Sequence, residues 1–150
     1  MNQVIAHLNQ QLANCNVLYV KLQNYHWYVQ GDHFFMLHAK FQELYEQLPP
    51  VIDEIAERIL TIGGKPAGTL AQFVELATIQ EAKTGETAEE MVIQLEKDYQ
   101  QLAQELKQGI QIAEANHDPS TADLYTGLAS SFEKTVWMLK SYLANSVLHA

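Results

Sequence analysis

Sulfur chemistry is nearly missing from this chain. Its 150 residues include one cysteine, Cys15, so an intrachain disulfide and a cysteine-ligated zinc site are both excluded. That usage suits a reducing cytoplasm. Basic residues are scarce as well: nine Lys and Arg stand against eighteen Asp and Glu, for a net charge of −9. The basic residues are scattered singly and the first is Lys21, so there is no basic N-terminal arm. Binding to a nucleic-acid backbone draws on clustered Lys and Arg that displace counterions, and no such cluster exists here. The acidic balance fits a solvated surface or a protein that attracts cations. Long apolar runs are absent too. Nothing approaches the roughly 20 residues needed to span a bilayer, and the opening MNQVIAHLNQQLANCN has neither the basic start nor the unbroken apolar centre of a secretory signal. At this length the chain reads as one soluble domain, residues 1–150, able to bury a core without staples.

Strand signals are also lacking, whereas helical spacing is plain in four long stretches. The first, about 3 to 30, sets Ile5, Leu8, Leu12, Cys15, Tyr19, Leu22, His26 and Val29 on one stripe. The second starts after Gly31, with Asp32 as its expected N-cap, and runs through Leu37, Phe41, Leu44, Leu48, Ile52, Ile55 and Ile59 to Gly63-Gly64. Pro49-Pro50 predicts a kink inside it. The third opens at the capping box Thr87-Ala-Glu-Glu90 and continues to about Glu114. The fourth follows Asp118-Pro119-Ser120 and carries Leu124, Leu128, Phe132, Val136, Leu139 and Leu143. Between the second and third lie too many residues for a tight turn, and TLAQFVELA, 69 to 77, predicts a short extra helix there. The expectation is an all-α, ferritin-like four-helix bundle with a long middle connection. Other bundles share that helix count, so function has to be read from a site.

Three of the six histidines, His26, His33 and His38, flank one glycine, Gly31. In a helical hairpin His26 and His38 reach similar heights on adjacent helices, where two imidazoles could converge on one ion. Asp53 and Glu57 stand four apart and project from one helix face. A solvated acidic face is the competing reading, set against the apolar surroundings Ile52, Ile55, Ile59, Leu60 and Ile62. A helix rises about 1.5 Å per residue, which puts Asp53 roughly 22 Å along the axis from His38. One chain does not easily bring both pairs to one ion. A two-fold axis between two chains does, with the histidines of one meeting the carboxylates of the other. Imidazole nitrogen with carboxylate oxygen and no thiolate suits iron, manganese or zinc.

HWYVQG-x-x-FF-x-LH from His26 to His38, followed by DEIAERIL-x-IGG-x-P from Asp53 to Pro66, resembles the Dps family of mini-ferritins. The similarity extends to GI at 109 to 110 and WMLK from Trp137 to Lys140. The resemblance implies a cytoplasmic hollow homo-dodecamer that acts as a ferroxidase. It would oxidise ferrous iron with hydrogen peroxide in preference to dioxygen, store the ferric mineral and protect against oxidative stress. It implies His26 and His38 of one subunit and Asp53 and Glu57 of its partner as ligands to one or two irons, for which zinc or manganese could substitute. Trp27 corresponds to a tryptophan beside the iron centre, or else simply packs. Ion pores are implied near the junction of the last two long helices, where Glu114, Asp118 and Asp123 would form an acidic funnel or, alternatively, a solvated corner.

Some features depart from the family or stand outside it. The lysine-rich N-terminal tail of DNA-compacting members is missing, and so is any C-terminal basic extension, which disfavours DNA binding. Pro49-Pro50 lies just before Asp53 and bears on how that ligand is presented. Glu43, Glu46 and Glu54 are candidates for mineral nucleation or are surface residues. His33 reads as part of the turn or as a nearby third ligand, and His7, His117 and His149 as structural or exposed. Glu114-x-x-His117 matches a di-iron ligand motif that requires a second copy, which the chain lacks. The alternatives in other classes are a nucleoid-protecting DNA binder and a metal-free helical interaction protein.

Overall fold

The computed structural model of the protein describes residues 1–144, and every regular element among them is an α-helix. The chain divides into two compact units, Met1–Gly85 and Glu86 onward. His149 lies outside the described residues.

The first unit is organised around α1 (Asn2–Tyr28), against which α2 (Phe34–Glu46), α3 (Leu48–Thr61) and the short α4 (Leu70–Leu76) all pack. The stripe read from the sequence is buried at Leu8, Leu12, Cys15, Leu22 and His26. Burial pushes the Cys15 thiol pKa up to about 12. α1 ends where Val29 turns extended, and Gly31 reverses the chain at φ 111°, a conformation that favours glycine. The expected cap is corrected here. His33, not Asp32, occupies the N-cap position of α2, and its side chain makes no cap hydrogen bond.

The expected kink is a full break. α2 ends at Glu46, Gln47 separates the helices, and α3 begins at Leu48. Pro49 and Pro50 therefore stand in the first turn of a new helix, where a backbone N–H has no partner to lose. α3 holds Ile55 and Ile59 against the core and runs to Thr61. Beyond it, Gly64 sits where a Cβ would meet Ile5 Cγ2 and Ile59 Cγ2, each at 2.9 Å, so this close approach of the connection to α1 and α3 needs a residue without a side chain.

Polar residues of α1 pin the long connection. Asn9 Oδ1 accepts from Ala67 N at 2.8 Å, and its Nδ2 donates to Lys65 O at 3.0 Å. Asn14 Oδ1 accepts from Thr78 N at 2.7 Å and Ile79 N at 3.4 Å. The buried Lys21 donates to Gln80 O at 2.8 Å. The extra helix α4 is present and begins at a capping box formed by Thr69 and Gln72. Leu70 and Val74 remain exposed, so α4 keeps an uncovered apolar face.

The second unit is a helical hairpin of α5 (Ala88–Ala115) and α6 (Pro119–Leu143). The capping box at Thr87 and Glu90 starts α5 as expected. Met91, Leu95, Tyr99, Leu102 and Leu106 on α5 and Tyr125, Leu128, Phe132, Leu139 and Leu143 on α6 are buried. Tyr99 and Phe132 meet T-shaped at 5.1 Å between ring centroids, a favoured arrangement of aromatic quadrupoles. Lys107 pairs with Glu133 at 2.6 Å across the outer face.

Replacing Gly64 with alanine should destabilise the fold by about 1–3 kcal/mol through overpacking. Gly68→Ala, where a Cβ meets nothing within 4 Å, should change stability by no more than about 0.5 kcal/mol. Denaturant titration of both variants reads the contrast, and equal stabilities would refute the close-approach argument.

Candidate metal centre

His26 lies in the last turn of α1, where backbone carbonyls run out of helical partners, and His38 lies early in α2 on the returning arm of the hairpin. Each uses the other's backbone. His26 Nδ1 lies 2.6 Å from His38 O, and His38 Nδ1 lies 2.7 Å from His26 O. A carbonyl can only accept, so both Nδ1 atoms carry protons and donate. In the neutral rings the lone pairs then belong to the two Nε2 atoms, the tautomer that binds a metal ion. The rings stack at 3.7 Å between centroids with 13° between planes.

Other rings enclose the pair. Phe34 stacks on His38 at 4.9 Å and 20°, and Tyr45 stands T-shaped to His26 at 5.5 Å. From the sequence Phe34 entered only as part of the FF in the family-like motif and Tyr45 not at all, although Tyr45 follows His38 by seven residues and so shares its helix face. His26 is buried and His38 half-buried, while Trp27, the next residue along α1, is 66 % exposed.

Asp53 and Glu57 project from α3 into solvent. At 100° per residue they share a face with exposed Leu60, opposite buried Ile55 and Ile59. Among the described residues, no three His, Cys, Asp or Glu side chains gather to hold an ion. The four candidate ligands thus form two separate pairs, nitrogen donors on the hairpin and oxygen donors on α3.

The remaining candidates fall elsewhere. Glu43 pairs with Lys40 at 3.4 Å, Glu46 accepts from Gln42 Nε2 at 2.7 Å, and Glu54 is exposed. Glu114 and Asp123 are exposed. Asp118 is buried as the N-cap of α6, where its carboxylate accepts from Thr121 N at 3.1 Å and Thr121 Oγ1 at 2.5 Å. His117 has φ 57° just beyond the C-cap of α5, with its N–H donating to Glu114 O and that of Asp118 to Ala113 O. This is a Schellman ending. Glu114 and His117 therefore do not form a ligand pair on one helix. His33 lies in the turn, and His7 is half-buried.

The ferritin-like domain family matches residues 5–147. The chain is 52% identical over 141 residues to DNA protection during starvation protein 2 of Bacillus anthracis, covering 94% of this chain and 97% of that protein. The chain belongs to the Dps family of ferritin-like proteins. The crystal structure of Dps from Staphylococcus aureus superposes with a TM-score of 0.94 at 45% identity, covering 95% of this chain and 96% of that one. Dps from Listeria innocua soaked with zinc superposes at 0.90 with 38% identity, covering 94% and 96%. The all-α, ferritin-like fold of this Dps-family chain thus follows from both sequence and structure. Among the described residues no helix is long and apolar enough to cross a membrane.

Cap and charge can be separated at the α5–α6 corner. Asp118→Ala should cost about 0.5–2 kcal/mol through loss of the cap, while Asp118→Asn, which can still accept from Thr121, should retain most of it. Glu114→Gln and Asp123→Asn should leave stability within about 0.5 kcal/mol of the parent. Thermal denaturation checks all four, and an Asp118→Ala protein as stable as the parent would remove the capping role.

Proposed function

We propose that the protein is a ferroxidase and iron store, with ferrous iron as substrate and hydrogen peroxide as the preferred oxidant over dioxygen. The observation that carries this reading is the reciprocal Nδ1–carbonyl pairing, which leaves the lone pairs to Nε2 on two rings stacked 3.7 Å apart. Asp53 and Glu57 of a second subunit complete the centre with hard oxygen donors, which favour the ferric product. Each peroxide takes one electron from each of two ferrous ions and, with two protons, leaves as two waters. Handling the ions as a pair avoids release of hydroxyl radical. Zinc and manganese suit the same donor set, and a Listeria innocua Dps has been soaked with zinc.

Assembly into a homo-dodecamer is part of the proposal. Its support is exposed apolar surface: Trp27, Tyr28, Phe35 and Met36 around the hairpin tip, Leu60 beside the carboxylates, and Leu70 and Val74 on α4. Such surface marks contact with another chain. Residues 1–150 act as one ferritin-like domain in this reading, the family match running from residue 5 to 147. Trp27 lies beside the iron centre. Exposed Glu114 and Asp123, with Asp118 behind them as the cap, line an acidic iron entry route, and Glu43, Glu46 and Glu54 nucleate mineral. The setting is the cytoplasm, where buried Cys15 stays reduced.

His38→Ala or Asp53→Ala should slow ferrous oxidation by at least the roughly 10–100-fold that follows loss of a metal ligand's outer partner, with helicity and assembly retained. Stopped-flow ferric absorbance after peroxide addition measures it, and parent rates in both variants would remove the assignment. Mixed assemblies supply a sharper test. A His26→Ala/His38→Ala chain combined with an Asp53→Ala/Glu57→Ala chain should regain activity, because a mixed dimer holds one complete site. No recovery after verified mixing would place the site within one chain.

DNA should not be bound by this surface. With a net charge of −9 and no basic cluster, the assembly should leave duplex DNA unshifted in a gel at neutral pH and physiological salt with divalent ions removed. A retarded band under those conditions would favour the nucleoid-protecting alternative.

A further inference from the structure

The imidazole pair is the middle of a longer run of rings. Along the α1–α2 groove the order is Phe34, His38, His26, Tyr45 and Tyr19, with successive centroids 4.9, 3.7, 5.5 and 5.7 Å apart. Tyr19 lies seven residues before His26 and Tyr45 seven after His38, so each tyrosine shares a helix face with the histidine of its own helix. Tyr45 crosses the groove to meet the histidine of the other helix.

A hydrogen bond from Nδ1 holds one corner of an imidazole, but the ring can still turn about Cβ–Cγ. A half turn exchanges Nδ1 with Cδ2 and Nε2 with Cε1, so the lone pair no longer faces where a metal ion would sit. The ring must swing through the perpendicular to make that turn. For His38 the swing is blocked on one face by Phe34, at 20° between planes, and on the other by His26, at 13°. For His26 it is blocked by His38 on one face, and Tyr45 packs T-shaped against the ring at 5.5 Å, which crowds the swing further. Both Nε2 atoms are thus aimed before any ion arrives, which lowers the ordering cost of binding.

We propose that Phe34 and Tyr45 are positioning residues that hold His26 and His38 with Nε2 outward and so set divalent-ion affinity, without touching the ion themselves. The inference rests on the reading of this histidine pair as an iron site. It assigns the effect of Tyr45 to its ring and not to its hydroxyl, which makes the conservative variant informative.

The test is titration of the assembled parent protein and its variants with Co2+ alone, following the visible d–d absorption of the bound ion. Phe34→Leu and Tyr45→Leu should each weaken Co2+ binding by about tenfold or more, in line with losses of outer-shell support, and should change the shape of the d–d bands. Tyr45→Phe should match the parent in affinity and band shape. Phe34 is half-exposed in the first turn of α2, so its leucine variant keeps the fold and the result stands even where Tyr45→Leu fails to assemble. Parent-like affinity and spectrum in Phe34→Leu, or a Tyr45→Phe protein as impaired as Tyr45→Leu, would overturn the positioning role. His26→Ala in the same titration separates the two levels. If it binds Co2+ as the parent does, the iron-site reading fails; if it loses binding while Phe34→Leu and Tyr45→Leu remain parent-like, only the positioning role fails.

Discussion

The two hydrogen bonds exchanged by His26 and His38 join things that are usually separate in a protein: helix termination, hairpin closure and the orientation of two candidate ligands. The carbonyl of His26 belongs to the last turn of α1 and would lack a helical donor, and the ring of His38 supplies one. The return bond runs from His26 to a carbonyl within α2. Both bonds are part-buried, and an unmet partner in a buried setting costs about 1–3 kcal/mol. The chain reversal at Gly31 is thereby held in register, because sliding α2 by one residue along α1 would break both bonds together. The Nδ1 atoms are committed to these two bonds, which leaves the Nε2 atoms as the remaining ring nitrogens.

Long-range structure in the first unit depends on a second device, three polar side chains of α1. Asn9, Asn14 and Lys21 receive the connection at Lys65, Ala67, Thr78, Ile79 and Gln80. A segment with little regular structure is thus fastened at three heights of one helix. α4 is suspended between two of those points, and its apolar face is left uncovered without making the connection loose.

Much of this was legible before the structure. α1, α5 and α6 follow from apolar spacing, and the Thr87–Glu90 box marks the start of α5 because its partners are local in sequence. The extra helix was legible from TLAQFVELA. The break at Gln47 was harder, since Pro49-Pro50 is compatible both with a kinked helix and with the first turn of a new one. Pairing His26 with His38 required only the hairpin and its glycine, whereas the tautomer required knowing which carbonyl each ring meets. The roles of Phe34 and Tyr45 stayed hidden for the same reason: an aromatic residue at helical spacing reads as core until its neighbour across the groove is known. Asp118 shows the converse. Its charge suggested a channel, and the hydroxyl of Thr121, three residues on, gives the carboxylate a local task.

Cys15 acquires a different meaning beside this chemistry. Peroxides attack the thiolate form of cysteine, and with the thiol pKa pushed up to about 12 the thiolate fraction near neutral pH is roughly one part in 10⁵. The same burial that raises the pKa bars the oxidant from the sulfur. In the proposed peroxide chemistry this buried sulfhydryl would serve as a hydrocarbon substitute. Under that reading, oxidising equivalents would pass to the iron in preference to Cys15.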